Sequence, residues 1–262
     1  MDQRRVRRPL MAANWKMNKL VWEAEDYMTR LLPQISDADE VDVAVFAPFT
    51  CLGTVARMVQ DTPVMAGAQN FYYQDSGAYT GEISAPMLED IGAGAVIIGH
   101  SERRALFGET DEMVARKTAR AVSAKLLPVV CVGETKEERD AGRMWDKVSE
   151  QVRAVFDFLD ANRIVGDDLV FAYEPVWAIG TGDVASPADA QETIGRMRVL
   201  LGELIGEDFA GEVRILYGGS IKPGSVGEIL AQKDVDGGLV GGASLGAESF
   251  AEMVNGAEAV VE

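Results

Sequence analysis

The sequence predicts a single-domain (β/α)8 barrel, and three observations lead to that fold class. Eight short apolar runs recur along the 262 residues, and each is followed by a helical pattern or a gap long enough for a helix. The runs are nearly continuous in apolar residues and do not alternate with polar ones, which is typical of parallel strands covered by helices. None is followed by a G-x-G-x-x-G turn, which favours a closed barrel over an open doubly wound sheet. The predicted strands are Leu10–Ala13, Val41–Ala47, Val64–Gly67, Ala95–Ile98, Leu127–Val132, Leu169–Tyr173, Arg214–Tyr217 and Gly237–Val240.

Two of the intervening segments carry apolar residues at alternating spacings of three and four, which predicts one buried face of a helix. We interpret both stripes as core packing. The first stripe consists of Trp145, Val148, Val152, Val155, Phe156 and Leu159, and the second of Ala190, Ile194, Met197, Leu201 and Leu204.

Length and charge limit the classes of partner. We expect residues 1–262 to form one domain, because barrels commonly reach this size with a single core. The net charge of −17 argues against nucleic acid and anionic membranes, which both prefer a basic face. No apolar run approaches the roughly 18 residues of a membrane helix. An anionic substrate would need local donors such as backbone N–H groups and a few placed cations.

The N-terminus and the cysteines indicate the compartment. Met1–Arg8 is basic, and the apolar residues after it run only from Pro9 to Ala13, too short for a signal-peptide core. We interpret Met1–Arg8 as a flexible N-terminal extension and expect a cytoplasmic protein. Cys51 and Cys131 are the only cysteines, which suits reduced thiols better than a disulfide framework.

Polar residues follow several predicted strands directly, where a barrel of this class carries its chemistry. Asn14 and Lys16 follow the first strand, His100 and Glu102 the fourth, and Glu174 the sixth. Lys16 can supply a point charge for an anion, although a solvated surface lysine is the common case. His100 is the only histidine and precedes a predicted helix start, where the neutral imidazole is favoured as a donor; a structural role is the alternative.

The stretch after the sixth strand has the pattern of a hinged loop. Glu174 ends the apolar run, Pro175 restricts the backbone, and Gly180 and Gly182 leave N–H groups free to approach an anion. A carboxylate beside a closable loop favours a base that is shielded from water. A glutamate in a surface salt bridge before an ordinary glycine turn remains the alternative.

Glycine turns follow the last two strands, at 218–220 and 241–242, where barrels commonly bind phosphate through backbone donors. Plain tight turns are the alternative. Nothing indicates a triphosphate site or a metal site, since the chain has neither a Walker lysine nor a second histidine. Cys131 can be imagined as a nucleophile beside His100, but a packed thiol is favoured.

With these residues assembled, the sequence resembles the triosephosphate isomerase family over nearly its full length. Each motif is weak by itself, but their order and number make the resemblance specific. The matching motifs are Asn14–Asn18, Gly67–Asn70, Thr80–Ser84, Ile97–Arg104, Phe107–Thr110, Cys131–Thr135, Ala172–Gly182, Tyr217–Ser220 and Val240–Ser244.

The resemblance implies interconversion of dihydroxyacetone phosphate and glyceraldehyde 3-phosphate, without cofactor or metal. It makes Glu174 the base and neutral His100 the electrophile, two groups whose surroundings tune them for proton transfer in this family. It places Asn14 and Lys16 beside the developing negative charge, with Glu102 near Lys16. The residues implied to hold the phosphate are Gly180, Ser220, Gly241 and Gly242.

The family also implies a homodimer in which the loop Asn70–Ser84 inserts into the partner near Asn14 and Lys16. Its tyrosines suit an interface; a loop folded on its own barrel is the alternative. Asp183 departs from the family pattern, which commonly has lysine there, and is expected to weaken phosphate binding or alter loop closure. Another phosphosugar isomerase or epimerase on the same barrel, or a catalytically inert phosphate-binding barrel, remains an alternative function.

Overall fold

The computed structural model describes residues 7–164, 168–178 and 186–261. Its strands form one closed parallel barrel in chain order, with β1 paired to both β2 and β8. The predicted barrel is therefore confirmed, and every strand boundary lies within one residue of its predicted position. The strands are β1 Leu10–Asn14, β2 Asp42–Ala47, β3 Met65–Ala68, β4 Ala95–Ile98, β5 Leu127–Val132, β6 Val170–Tyr173, β7 Arg214–Tyr217 and β8 Gly237–Val240.

Helices follow the strands and cover the barrel. Both predicted stripes lie on helices, and most of their residues are buried. Among the described residues, no helix is both long and apolar enough to span a membrane. The helices are α1 Val21–Gln34, α2 Phe49–Val59, α3 Ala85–Asp90, α4 Ser101–Phe107, α5 Asp111–Ser123, α6 Lys136–Asp140, α7 Met144–Ala161, α8 Pro187–Ile205, α9 Glu207–Glu212, α10 Val226–Leu230 and α11 Ala247–Val261, with 3-10 turns at Val176–Ala178 and Gly242–Leu245.

The strands are buried on both faces, which explains why their sequences are continuously apolar. In β1, Leu10 and Ala12 belong to the cluster that fills the barrel, whereas Met11 and Ala13 pack against the helices. The ring of Phe46 occupies the interior where β3 has Gly67; a Cβ on that glycine would lie 2.4 Å from the ring. A larger residue at position 67 would displace this ring from the core.

Charged side chains attach the segment before β1 to the amino ends of the strands. Asp236 accepts hydrogen bonds from Arg7 Nε at 2.8 Å, from Arg198 Nη2 at 2.5 Å and from the backbone N–H of Ile215 at 2.9 Å. Arg8 pairs with Asp42 at 3.0 Å. Arg7 and Arg8, which we placed in a flexible extension, are thus bound to the barrel, and the rest of that segment lies outside the described residues.

Candidate active site

His100 is held by the start of α4. It is the N-cap residue of this helix, and the backbone N–H of Glu102 donates to its Nδ1 at 3.2 Å. Because Nδ1 accepts a hydrogen bond, the proton of the neutral ring resides on Nε2. That nitrogen lies 3.0 Å from Glu174 Oε1, and the imidazole is 6 % exposed. The predicted helix start at Ser101 is confirmed.

Glu174 directly follows β6 and is 2 % exposed. Its carboxylate accepts from the backbone N–H of Ser101 at 2.8 Å and from Ser101 Oγ at 3.3 Å, besides the contact with His100. Its own N–H donates to the carbonyl of Val132, the last residue of β5, at 2.8 Å. These donors satisfy the carboxylate oxygens in a buried place. The surface salt bridge that we considered for Glu174 is wrong.

Two glycines give Glu174 its space. A Cβ on Gly133 would lie 1.8 Å from the carbonyl oxygen of Glu174, and a Cβ on Gly218 would lie 2.9 Å from its Cγ. Real Cβ atoms do not approach other atoms so closely, so either substitution would push the glutamate out of place.

Lys16 lines the same cleft as His100, and its backbone is strained. Its φ is +53°, a conformation that costs a residue with a Cβ about 1–3 kcal/mol. Its N–H donates to Asn14 Oδ1 at 3.0 Å, and its carbonyl accepts from Gln69 Nε2 at 3.0 Å, which together hold the turn. Its Nζ then reaches Glu102 Oε1 at 2.7 Å, so Glu102 connects the lysine with the backbone that holds His100.

The glycine turns lie at the same end of the barrel. A Cβ on Gly241 would lie 3.2 Å from Lys16 Cε, so this glycine is in contact with the lysine. A Cβ on Gly242 would meet nothing within 4 Å, and Gly242 is exposed. Ser220 follows β7 and is partly exposed. Gly180 and Asp183 lie outside the described residues.

The segment that leads from Glu174 toward those residues is fixed by a buried carboxylate. Glu134 Oε1 accepts from Trp177 Nε1 at 2.9 Å, from Tyr173 OH at 3.2 Å and from Arg139 Nη1 at 3.1 Å. Burial raises the pKa of Glu134 despite these donors. Arg139 also stacks on the Trp177 ring at 4.3 Å.

Cys131 points into the barrel from β5 and is fully buried. Burial, and then the negative charge of Glu174, raises the pKa of its thiol well above the ordinary value. A thiol that stays protonated is a poor nucleophile. The packed-thiol interpretation is confirmed.

An exposed loop follows β3. The backbone N–H of Tyr72 donates to the carbonyl of Ile83 at 2.7 Å and closes its base. The ring of Tyr72 lies 4.3 Å from that of Tyr73 and 4.6 Å from that of Tyr79, while residues 74–82 are all exposed. The loop is exposed but touches its own barrel, since Arg120 Nε on α5 donates to Asp75 Oδ1 at 2.5 Å and Arg116 lies 5.5 Å from the Tyr73 ring.

Beside Lys16 lies a cleft of about 260 Å³ with apolar residues at its mouth. Met17 is 96 % exposed and Phe107 68 %. The other lining residues are Asn14, Lys16, Pro48, Phe49, Gln69, Asn70, Ile97, His100, Glu102 and Arg103.

The structure brings together Asn14, Lys16, His100, Glu102, Glu174 and Gly241. Sequence reasoning missed three supporting residues, Ser101, Gln69 and Gly133. Ser101 had a usable signal, because the first residues of a helix present free N–H groups to an anion. Gln69 and Gly133 lie in motifs that we had noted, but only the folded structure shows what they touch.

Fold and site together define a barrel enzyme of the proton-transferring class, with a buried carboxylate in hydrogen-bonding distance of an imidazole. The family model for triosephosphate isomerase matches residues 9–257, and the chain belongs to the triosephosphate isomerase family. The protein of that name from Rubrobacter xylanophilus is 71 % identical over 253 residues, which is 96 % of this chain and 98 % of the relative. Those from a Roseiflexus species and from Moorella thermoacetica are each 50 % identical over 250 residues, covering 95 % of this chain and 98 % and 99 % of the relatives.

Proposed function

We propose that this chain interconverts dihydroxyacetone phosphate and D-glyceraldehyde 3-phosphate through an enediolate, with Glu174 as the base. The observation that carries the proposal is the contact between the Glu174 carboxylate and His100 Nε2 at 3.0 Å, with His100 lining the same cleft as Lys16. Glu174 takes the proton from one carbon and returns it to the next. To do so, the carboxylate leaves its hydrogen bonds to Ser101 and turns to the substrate.

His100 serves as the electrophile. Its Nε2–H donates to the substrate oxygen that becomes negative, and the ring passes a proton between the two oxygens of the enediolate. The N–H of Glu102 on Nδ1 supports this role, because it keeps the proton on Nε2. Lys16 and Asn14 stabilise the same developing charge.

The phosphate is held by backbone N–H groups of Gly180, Ser220, Gly241 and Gly242, with Lys16 as the nearby cation. This arrangement suits a protein of net charge −17, whose overall field opposes an anion. Closure of the loop after Glu174 keeps water from the enediolate phosphate, which strengthens these contacts. Asp183 places a negative charge in this loop and weakens the attraction; an Asp183→Lys variant with unchanged KM and salt dependence would contradict this.

A coupled assay of glyceraldehyde 3-phosphate conversion, run on wild type and Glu174→Gln, tests the proposal. Glutamine has the same shape but cannot take the proton, so kcat is expected to fall by at least about 10²–10⁴-fold. Full activity in the variant would remove Glu174 as the base. A wild type that acts on another phosphosugar, or on none, would favour the epimerase or inert-barrel alternative.

A homodimer through the loop Asn70–Ser84 belongs to the proposal. The loop of one copy enters the cleft beside Lys16 in the other, covering the exposed Met17 and Phe107. Its Tyr79, 42 % exposed, supplies an aromatic contact. The enzyme would work in the cytoplasm, in glycolysis and gluconeogenesis, in keeping with its family's activity.

Sedimentation of wild type and Tyr79→Asp tests the dimer. A charge at the centre of an apolar contact is expected to shift the variant to monomer and to lower its activity. Phe209→Asp, on the exposed helix α9, is the matched control and should stay dimeric. A monomeric wild type would overturn the dimer, and a dimeric Tyr79→Asp would assign it to another surface.

A further inference from the structure

Arg104 connects the ends of two strands behind the candidate active site. Its Nε donates to the carbonyl of Gly99 at 2.7 Å, and its Nη2 donates to the carbonyl of Cys131 at 3.2 Å. Gly99 follows β4 and Cys131 lies at the end of β5. The side chain is 18 % exposed. A single partly buried guanidinium therefore links two neighbouring strand ends beyond their last sheet pairing, Ile98 with Val130, which suits its rigid fork of donors.

One strand end is followed directly by His100, and the other is hydrogen-bonded to Glu174. Gly99 immediately precedes His100, and its φ of +73° makes the turn that puts His100 at the start of α4. On the other strand, Val132 follows Cys131 and accepts the N–H of Glu174 at 2.8 Å. The distance from His100 Nε2 to Glu174 Oε1 thus depends on how far apart these two strand ends stand.

The guanidinium has little freedom to move. Its Nη1 pairs with Asp111, which Lys147 Nζ also contacts at 3.2 Å. Burial by itself would raise the pKa of Asp111, but the charges and hydrogen bonds of Arg104 and Lys147 hold it below its ordinary value. A Cβ on Gly99 would lie only 3.0 Å from Nη2, so the guanidinium packs directly against this turn.

We propose that Arg104 is a positioning residue for the isomerisation: it sets the spacing of His100 and Glu174 through the carbonyls of Gly99 and Cys131. The inference rests on the proposed function of that pair. The hydrogen bonds of Arg104 go to Gly99, Cys131 and Asp111, and not to His100, Glu174 or the glycine turns assigned to the phosphate. Its loss should therefore lower kcat and leave KM nearly unchanged.

The test compares Arg104→Gln, Arg104→Lys and the control Arg30→Gln with wild type. Displacement of a reacting group by about 1 Å costs on the order of 10²-fold, so Arg104→Gln is expected to lose about 10²-fold in kcat with KM within about twofold. The Arg104→Lys variant keeps the positive charge and can reach one of the two carbonyls, so its kcat should be about tenfold higher than that of Arg104→Gln. Arg30, in an exposed pair with Asp26, should have no effect.

The single histidine of the chain provides a second readout. In protein labelled with 15N-histidine, one ring supplies both nitrogen signals, and they report the hydrogen bonds of His100 in the resting enzyme. Both Arg104 variants are expected to shift the signal of His100 Nε2, because the contact of this nitrogen with Glu174 lengthens. The control Arg30→Gln is expected to leave the signal unchanged.

The outcomes separate the two proposals. Unchanged kcat in Arg104→Gln, or a lower kcat with unchanged His100 signals, would overturn the positioning role. If the glutamine variant does not fold, the lysine variant decides by the same two measurements. A wild type without isomerase activity in the same assay would instead overturn the proposed function.

Discussion

Shortening Glu174 to aspartate separates the placement of the carboxylate from its chemistry. Glu174→Asp keeps the charge and both oxygens but withdraws them by about 1.5 Å, the length of one C–C bond. In the wild type, the Glu174 oxygens lie 3.0 Å from His100 Nε2 and 2.8 Å from the backbone nitrogen of Ser101. The aspartate oxygens would therefore lie beyond hydrogen-bonding reach of both groups. The backbone cannot follow easily, because it is bonded to Val132 and lies against Gly133.

The expected loss follows from that displacement. A reacting group misplaced by about 1 Å costs about 10²-fold, so kcat should fall by at least about 10²-fold, equivalent to about 2.7 kcal/mol of transition-state stabilisation. KM should change little, since the groups proposed to hold the phosphate are untouched. The variant should nevertheless remain more active than Glu174→Gln, because it still carries a base.

Initial rates in the coupled assay, measured over a range of substrate concentrations, give kcat and KM for each variant. Glu228→Asp, an exposed glutamate on α10, is the matched control and should behave as wild type. If Glu174→Asp keeps kcat within about threefold of wild type, the carboxylate does not need this placement and the reasoning fails.

Three further predictions concern stability, the phosphate site and the buried thiol. Asp236→Asn should lower the free energy of unfolding, measured by urea denaturation, by about 3 kcal/mol, because it removes one partner from a buried charge network. The control Asp26→Asn, in an exposed ion pair, should lower it by less than about 1 kcal/mol. Equal losses in the two variants would contradict this prediction. Gly242→Ala should leave the melting temperature unchanged, since a Cβ there has no other atom within 4 Å. The variant should nevertheless raise KM about tenfold or more, because the methyl group blocks a backbone contact with the phosphate. An unchanged KM would remove Gly242 from the phosphate site. Cys131 should resist iodoacetamide at about pH 9 in the native protein and react after unfolding, because burial keeps it in the unreactive thiol form; rapid native labelling would refute its packed position.

The strands of the barrel could be predicted because each carries a local signal. A strand covered on both faces is almost continuously apolar, so β4, β5 and β8 begin and end where their apolar runs do. The barrel rule then placed Glu174 and His100 at one end without any knowledge of contacts.

What the sequence could not provide were contacts between distant segments. The donation from Ser101 to Glu174 joins residues 73 positions apart, and that from Gln69 to Lys16 joins residues 53 apart. Arg104 shows the same limit, since an arginine on a short helix has the pattern of a surface residue until β5 is placed beside it. Arg7 was misjudged for this reason too, because its partner Asp236 lies 229 positions away.

The pairing of β1 with β8 imposes an order on how the protein is made. Roughly 220 residues separate the two strands, and a ribosome adds about 5–20 residues per second, so β1 has no β8 to pair with for roughly 11–45 s. During that time its edge, and Arg7 beside it, remain open to other chains. The nascent barrel therefore carries an unpaired strand edge from the synthesis of β1 until that of β8, and chaperones that shield its first strand would act in that interval.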